Sequence, residues 1–189
     1  MKRKAIDRSF QSLYGHPCWG LHYDRTLNLS MNFGKPSLDV REPFSTESAS
    51  EVVRRMASRR LVTVRGEWWL RIYCCFWQLT SGDLQLAAGS SSLRRIEKAI
   101  ALLDGQEIVS GTVDPQTGAT CFAFDLGCVL HCRRFQRDCD DELWTLYKTT
   151  GYVLSVYGNG TFSHRRASAI EHRVQPIKDG IFPADSSRR

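Results

Sequence analysis

His16 and Cys18 stand two residues apart near the start of the chain. A cysteine beside a histidine is the raw material of a thiolate nucleophile, because the imidazole can take the thiol proton. Pro17 and Trp19 around them read as the entry to a strand, which needs no chemistry. Cys121, Cys128, His131, Cys132 and Cys139 form the densest set of metal-ligating types. None shows the Cys-x2-Cys spacing of a zinc knuckle or ribbon, so buried thiols on packed strands are expected there and no metal. Asp138, Asp140, Asp141 and Glu142 put four acids in five residues, a pattern that suits a solvated connection or an acidic patch facing a partner better than a paired acid and base. The opposite charge gathers in Arg54, Arg55, Arg59, Arg60, Arg65 and Arg71, relieved only by Glu67. That stretch can hold a phosphate chain or pair with the acidic connection.

Among the five tryptophans, Trp68 and Trp69 are adjacent. In a regular strand they point to opposite faces, and the less covered of the two is an interface candidate, since tryptophan is favoured both in cores and at contacts. The residues set aside for binding are therefore Trp68, Trp69, Arg54, Arg55, Arg59, Arg60, Asp138, Asp140 and Asp141. No Walker loop, dinucleotide-binding glycine motif or nucleophile elbow occurs. No catalytic residue and no cofactor are expected.

The elements that must position these residues belong to a chain of 189 residues with 42% hydrophobic content, enough for one core of ordinary density. The net charge of +6 invites a nucleic-acid reading. It divides, however, into +3 over residues 1–10 and +3 over 165–189, leaving 16 basic and 16 acidic residues in between. The chain is thus expected to have a basic N-terminal arm (1–10), one β-rich domain (11–164) and a basic C-terminal tail (165–189), in which Ile181 and Phe182 are the candidate anchors. No apolar run reaches the ~20 residues of a membrane helix, and the N-terminus lacks the apolar stretch of a signal peptide. Seven cysteines, an odd number set among apolar neighbours, suit reduced thiols in a cytoplasmic protein.

Alternation of Leu27, Leu29, Met31 and Phe33 with polar residues predicts a strand, turned by Gly34-Lys35-Pro36 into a short partner carrying Leu38 and Val40. Residues 44–60 read as a loop or a short helix. Leu61–Val64 and Trp68–Leu79 are rich in β-branched and aromatic residues, with Gly66 as the turn between them. The run WWLRIYCCFW is apolar enough for a strand covered on both faces. Leu93, Ile96, Ile100 and Leu103 recur at helical spacing, Ser91 or Ser92 can cap the helix, and Gly105 suits its C-terminus. After it comes a meander through residues 106–164, with the turns DPQTG, Leu126-Gly127, KTTG and Asn159-Gly160. A two-residue turn at Leu126-Gly127 sets Cys121 opposite Cys132, with Phe122 opposite His131. The fold class is mainly β (α+β): antiparallel strands in a sandwich or partly closed barrel, with one amphipathic helix at about 91–103.

Two stretches carry a resemblance. One is LYGHPCWGLH with LSMNFG, LDVREP and VRGEWWLRIYCCFWQL; the other is LDGQEI with VDPQTGATCFAFDLGCVL, LWTLY and GYVLSVYGNGTFSH. Both resemble small uncharacterised bacterial proteins, and the second resembles β-rich immunity proteins that neutralise polymorphic toxins. The resemblance spans most of residues 13–164 and rests on turns and strand faces, so it implies fold and class and no site residue. Immunity proteins of this type are often acidic because many of their toxins are basic nucleases; the neutral body departs from that, which counts against a nuclease partner more than against the class. The first reading is a noncatalytic, cytoplasmic factor that occludes a partner protein. The alternative is a nucleic-acid-associated defence or regulatory protein using the basic ends and the Arg54–Arg71 stretch. A small thiol or metal enzyme ranks third, and no membrane partner is expected.

Overall fold

The computed structural model of the chain describes residues 3–24, 28–47, 50–135, 140–167, 174–176 and 181–183. Helix α1 (Arg3–Gln11) precedes β1 (Cys18–Tyr23) and β2 (Leu29–Phe33). An excursion of β3 (Ser37–Arg41), α2 (Glu51–Ala57) and β4 (Leu61–Arg65) follows. Strands β5 (Trp68–Ile72), β6 (Phe76–Ser81) and β7 (Leu84–Ala88) lead to helix α3 (Leu93–Leu103). Then come β8 (Ile108–Val113), β9 (Thr120–Phe124), β10 (Cys128–Arg133), β11 (Glu142–Lys148), β12 (Tyr152–Tyr157), β13 (Thr161–Arg166), and the short β14 (Val174–Pro176) and β15 (Ile181–Pro183).

A seven-stranded sheet in the order β1-β2-β5-β11-β12-β13-β14 faces a six-stranded sheet in the order β15-β8-β9-β10-β6-β7, and β3 pairs only with β4. Among the described residues all pairings are antiparallel and no sheet closes, so the fold is the sandwich rather than the barrel. Alternation supplies the core. Leu29, Met31, Leu70, Ile72, Trp144 and Val156 from the first sheet meet Trp77, Leu79, Phe122, Leu130 and Cys132 from the second. Helix α3 bridges β1 and β7, the edge strands of the two sheets. Ile96, Ala99 and Leu103 are its buried stripe, Ile100 packs at the margin, and Leu93 stays exposed. Ser92 is its N-cap without a side-chain bond, while Ser91 Oγ accepts from Ala88 N–H.

Several sequence expectations are corrected. Residues 1–10 are not a detached arm: α1 buries Ile6 and Phe10, and the Phe10 ring lies 5.9 Å from Phe122 and 5.8 Å from Trp144. Its basic residues masked a helix because the apolar ones are few and spaced four apart. Residues 165–189 are not simply a tail, since β14 extends one sheet beside β13 and β15 extends the other beside β8. These two three-residue strands are too short for a periodic signal. Gly34-Lys35-Pro36 does not close a hairpin between β2 and its successor. Strand β2 pairs with β1 and β5, whereas β3 leaves the sandwich to pair with β4. Gly66 accordingly joins β4 to β5 without pairing them. The WWLRIYCCFW run is two strands rather than one covered on both faces. Trp68, Leu70 and Ile72 are core in one sheet and Trp77 and Leu79 in the other, while Cys74 at φ 52° turns the chain across the gap.

The meander holds as β8-β9-β10 in one sheet and β11-β12-β13 in the other. Its register at Leu126-Gly127 does not. His131, not Cys132, lies opposite Cys121, and Leu130 lies opposite Phe122. Gly127 at φ 90° adds a left-handed third residue to the turn, and Gly127 N–H donates to Phe124 C=O at 3.2 Å. That one extra residue keeps Phe122, Phe124, Leu130 and Cys132 on the core face.

At the far end of the sandwich the DPQTG turn and the Asn159-Gly160 turn press on each other. A Cβ on Gly118 would collide with the Tyr157 carbonyl, and one on Gly160 with the Pro115 carbonyl. Gly118→Ala should therefore lower stability by ~2–4 kcal/mol, from a left-handed φ and a backbone clash together. Phe10→Ala should lower it by ~3–5 kcal/mol, while Arg8→Ala, an exposed position on the same helix, stays within ~0.5 kcal/mol. Urea denaturation of the three variants measures this, and a neutral Phe10→Ala would show that α1 is not part of the folded core.

Candidate functional site

Cys18 is fully buried, its thiol donates to Leu103 C=O at 3.0 Å, and burial pushes it up to about 12. A thiol so held is protonated at neutral pH and is no nucleophile. His16 packs instead on Trp68, with ring centroids 5.2 Å apart. Burial, and then the neighbouring Cys75, hold Cys132 well above an ordinary thiol, and burial also raises Cys121. Gln106 Nε2 meets Cys128 Sγ at 3.2 Å. Among the described residues no three His, Cys, Asp or Glu side chains gather as a metal site; Cys139 lies outside them.

The excursion that leaves the sandwich behaves differently from everything else in the molecule. In the ribbon, Leu38 pairs with Val64 and Val40 with Val62, so these four side chains share one face, and all are exposed. Helix α2 starts at Ser50, whose Oγ accepts from Val53 N–H, and it buries only Ala57. Val52, Val53 and Met56 on it, with Phe44 and Leu61 nearby, are exposed, Val52 by 67% and Met56 by 61%. Nine large apolar side chains thus face solvent within residues 38–64. Hydrogen bonds to the main chain hold this arm together: Phe44 N–H donates to Ala57 C=O at 3.0 Å, and the Arg41 side chain donates from Nη2 to Met56 C=O at 3.5 Å.

The ribbon's opposite face carries Ser37, Asp39, Arg41, Thr63 and Arg65, with Leu61 at its end. Thr63 and Arg65 form one wall of a cleft of about 510 Å3, whose floor is Ser30, Asn32, Trp69 and Arg71 on the outer face of the large sheet. His22 on β1, with Asp24 and Asn28, closes it. The Arg65 guanidinium lies 4.0 Å above the Trp69 ring, and Trp69 stacks on Tyr147 at 5.0 Å. Arg71 lies 4.8 Å over Tyr73. Asp24 is occupied by Asn28, which donates from its backbone at 3.2 Å and from Nδ2 at 2.8 Å. Beyond the cleft the same outer face is sealed by its own polar side chains. Thr145 bonds Ser155 at 3.0 Å and Tyr73 at 3.3 Å and donates to Glu142, while burial and Glu142 hold the Tyr73 phenol protonated.

The residues singled out from sequence are dispersed by the fold. Trp68 and Trp69 point to opposite faces, Trp68 into the core and Trp69 into the cleft. Arg54 and Arg55 are exposed on α2, with Arg59 and Arg60 just after it, and Arg60 Nε donates to both Glu42 oxygens at 3.1 and 2.9 Å. Asp140 and Asp141 are exposed before β11, and Asp138 lies outside the described residues. His22, Asp24, Asn28, Ser30, Asn32 and Thr63 were not singled out. Only their placement on one sheet face and one ribbon face joins them, and no local motif records that. No known family model matches the chain, and no curated protein or solved structure is similar to it at a significant level.

The buried thiols and phenols give a pH dependence. Cys18, Cys121, Cys132, Tyr73 and Tyr147 are all raised by burial, so they hold protons more tightly folded than unfolded. The Cys18 contribution is full below the unfolded thiol value of 9.0 and is lost as pH climbs towards about 12, and the other four are lost in the same direction. Burial lowers His164, so its contribution is full above the unfolded value of 6.5 and is lost as pH falls below it. The urea midpoint should be highest between these limits, and Cys18→Ala should flatten the alkaline limb. An unchanged alkaline slope in that variant would place the proton uptake elsewhere.

Proposed function

We propose that the chain is a noncatalytic protein-binding factor of the immunity or antitoxin kind, which works in the cytoplasm by seating its arm on a partner protein and occluding it. The observation that carries this reading is the arm itself, nine exposed apolar side chains gathered on one projecting ribbon and helix. Folded proteins seldom leave so many large apolar side chains of one segment open unless another surface covers them. A standard interface takes roughly 20–30 residues a side, the scale of this excursion. Arg54, Arg55 and Arg59 rim it, so the partner surface is apolar with acidic residues at its border. The buried thiols of Cys18, Cys75, Cys128 and Cys132 are in keeping with a reducing compartment.

The product of the neighbouring gene is the partner to try first. Purified together, the two should form a stoichiometric complex, and the chain should suppress the partner's toxicity. Leu38→Asp with Val62→Asp should weaken that complex by ~2 kcal/mol or more while leaving the melting temperature of the free chain unchanged, because both positions are exposed on the ribbon. Binding to duplex nucleic acid that falls steeply with salt, and is indifferent to those two substitutions, would instead favour a nucleic-acid-associated protein using the Arg54–Arg71 stretch.

A further inference from the structure

We propose that the cleft between β4 and the outer face of β1, β2 and β5 binds a phosphomonoester, held by Arg65 and Arg71 beside Trp69. This inference stands apart from the role of the arm.

Charge sets the class of ligand. The cleft holds two guanidinium groups against one carboxylate, Asp24, whose charge the neutral Asn28 donors leave in place, so its lining is net positive by one. Asp39 reaches Arg65 only at 3.9 Å and is itself solvent-exposed, too loose a contact to neutralise it. An anion is therefore the ligand that completes the site. Trp69 and Arg71 are two residues apart on one strand, so their side chains rise from the same face about 6–7 Å apart. Arg65 comes down on Trp69 from the ribbon. Both guanidinium groups are held against rings, by Trp69 and by Tyr73, so their planar forks are ordered before anything binds.

Two guanidinium forks offer paired donors to the three oxygens of a phosphomonoester, more than a single carboxylate can use, and the net positive lining favours its charge of about −1.5 to −2. At about 510 Å3 the cleft exceeds a phosphate group and leaves room for a polar organic portion beside Ser30, Asn28 and Thr63.

The test is titration of the full chain at low salt with inorganic phosphate, O-phosphoserine and, as a dicarboxylate control, succinate, followed by calorimetry and by the Trp69 indole N–H resonance. Saturable binding at one site is expected, with succinate at least tenfold weaker. Arg65→Gln should weaken binding of O-phosphoserine at least tenfold in a normally folded protein, and Arg65→Lys less than Arg65→Gln. Arg94→Gln on α3, an exposed position away from the cleft, should change nothing. A short phosphoserine peptide is compared with glycerol 3-phosphate, and preference for either identifies the carrier of the phosphate. No saturable binding, equal binding of succinate, or an unchanged affinity in Arg65→Gln would overturn the proposal.

Discussion

The indole of Trp144 is the point on which the two sheets are aligned. It belongs to β11, in the middle of the large sheet, yet its Nε1 donates to Thr120 Oγ1 at 2.8 Å in the opposing sheet, and Thr120 passes its own proton to Gly118 C=O at 2.8 Å. A buried indole N–H without an acceptor is costly, so the bond fixes how far β11 can slide against β9. Phe122 and Phe10 pack on the same ring at 5.5 and 5.8 Å, both edge to face. One side chain thereby joins both sheets and the N-terminal helix. Gly118, the last acceptor in this series, is also where the DPQTG turn meets the Tyr157 carbonyl. The polar bridge and the tightest backbone approach thus brace the same end of the sandwich.

A frame fixed in this way allows a segment to leave it without unravelling it. The arm departs at Gly34 and returns at Gly66, and the two roots are tied to each other. Gly66 N–H donates to Asn32 Oδ1 at 3.1 Å, Lys35 N–H to Glu67 Oε2 at 3.1 Å, and Trp19 Nε1 to Gly34 C=O at 3.0 Å. Asn32 is nearly buried and spends its carbonyl oxygen on this clamp. The loop-closure cost of the excursion is therefore met at its base, and residues 37–65 have no need to contribute to the core.

The sequence was most readable where periodicity and burial coincide. Helix α3 and the strands of both meanders follow their apolar spacing, because one face of each is core. Leu38 and Val40 show the limit of that logic. Their alternation is as regular as that of Leu29, Met31 and Phe33, but the first pair is exposed and the second set is buried. Period two reports that one face is apolar and not what covers it. The register at Gly127 failed for another reason: a two-residue and a three-residue turn both accommodate Leu-Gly, and only the packing of Phe122 against Leu130 chooses between them. The cleft was legible only in part. Arg65, Trp69 and Arg71 stood out by type, whereas His22, Asn28, Ser30 and Asn32 are ordinary strand and turn residues until the ribbon is laid over them.

The ribbon also orders its two faces in the sense opposite to a strand that serves its own core. Thr63 and Arg65 line the cleft from the face they share with Asp39, while Leu38, Val40, Val62 and Val64 share the other face and are exposed, Val64 at the cleft's border. Hydrophobic burial inside the chain would favour the reverse, since at about 25 cal/mol per Å2 each covered valine or leucine contributes ~1.5–3 kcal/mol. Flipping the ribbon would cover those four side chains at the expense of withdrawing Arg65 from Trp69 and opening the cleft. The cation–π contact, worth ~0.5–2 kcal/mol, does not by itself outweigh that burial. The clamp at Asn32 and Glu67 decides the orientation, because it fixes both roots of the ribbon before either face has a choice. An apolar face held outward against its own local preference is the arrangement that selection for a surface outside the chain would retain.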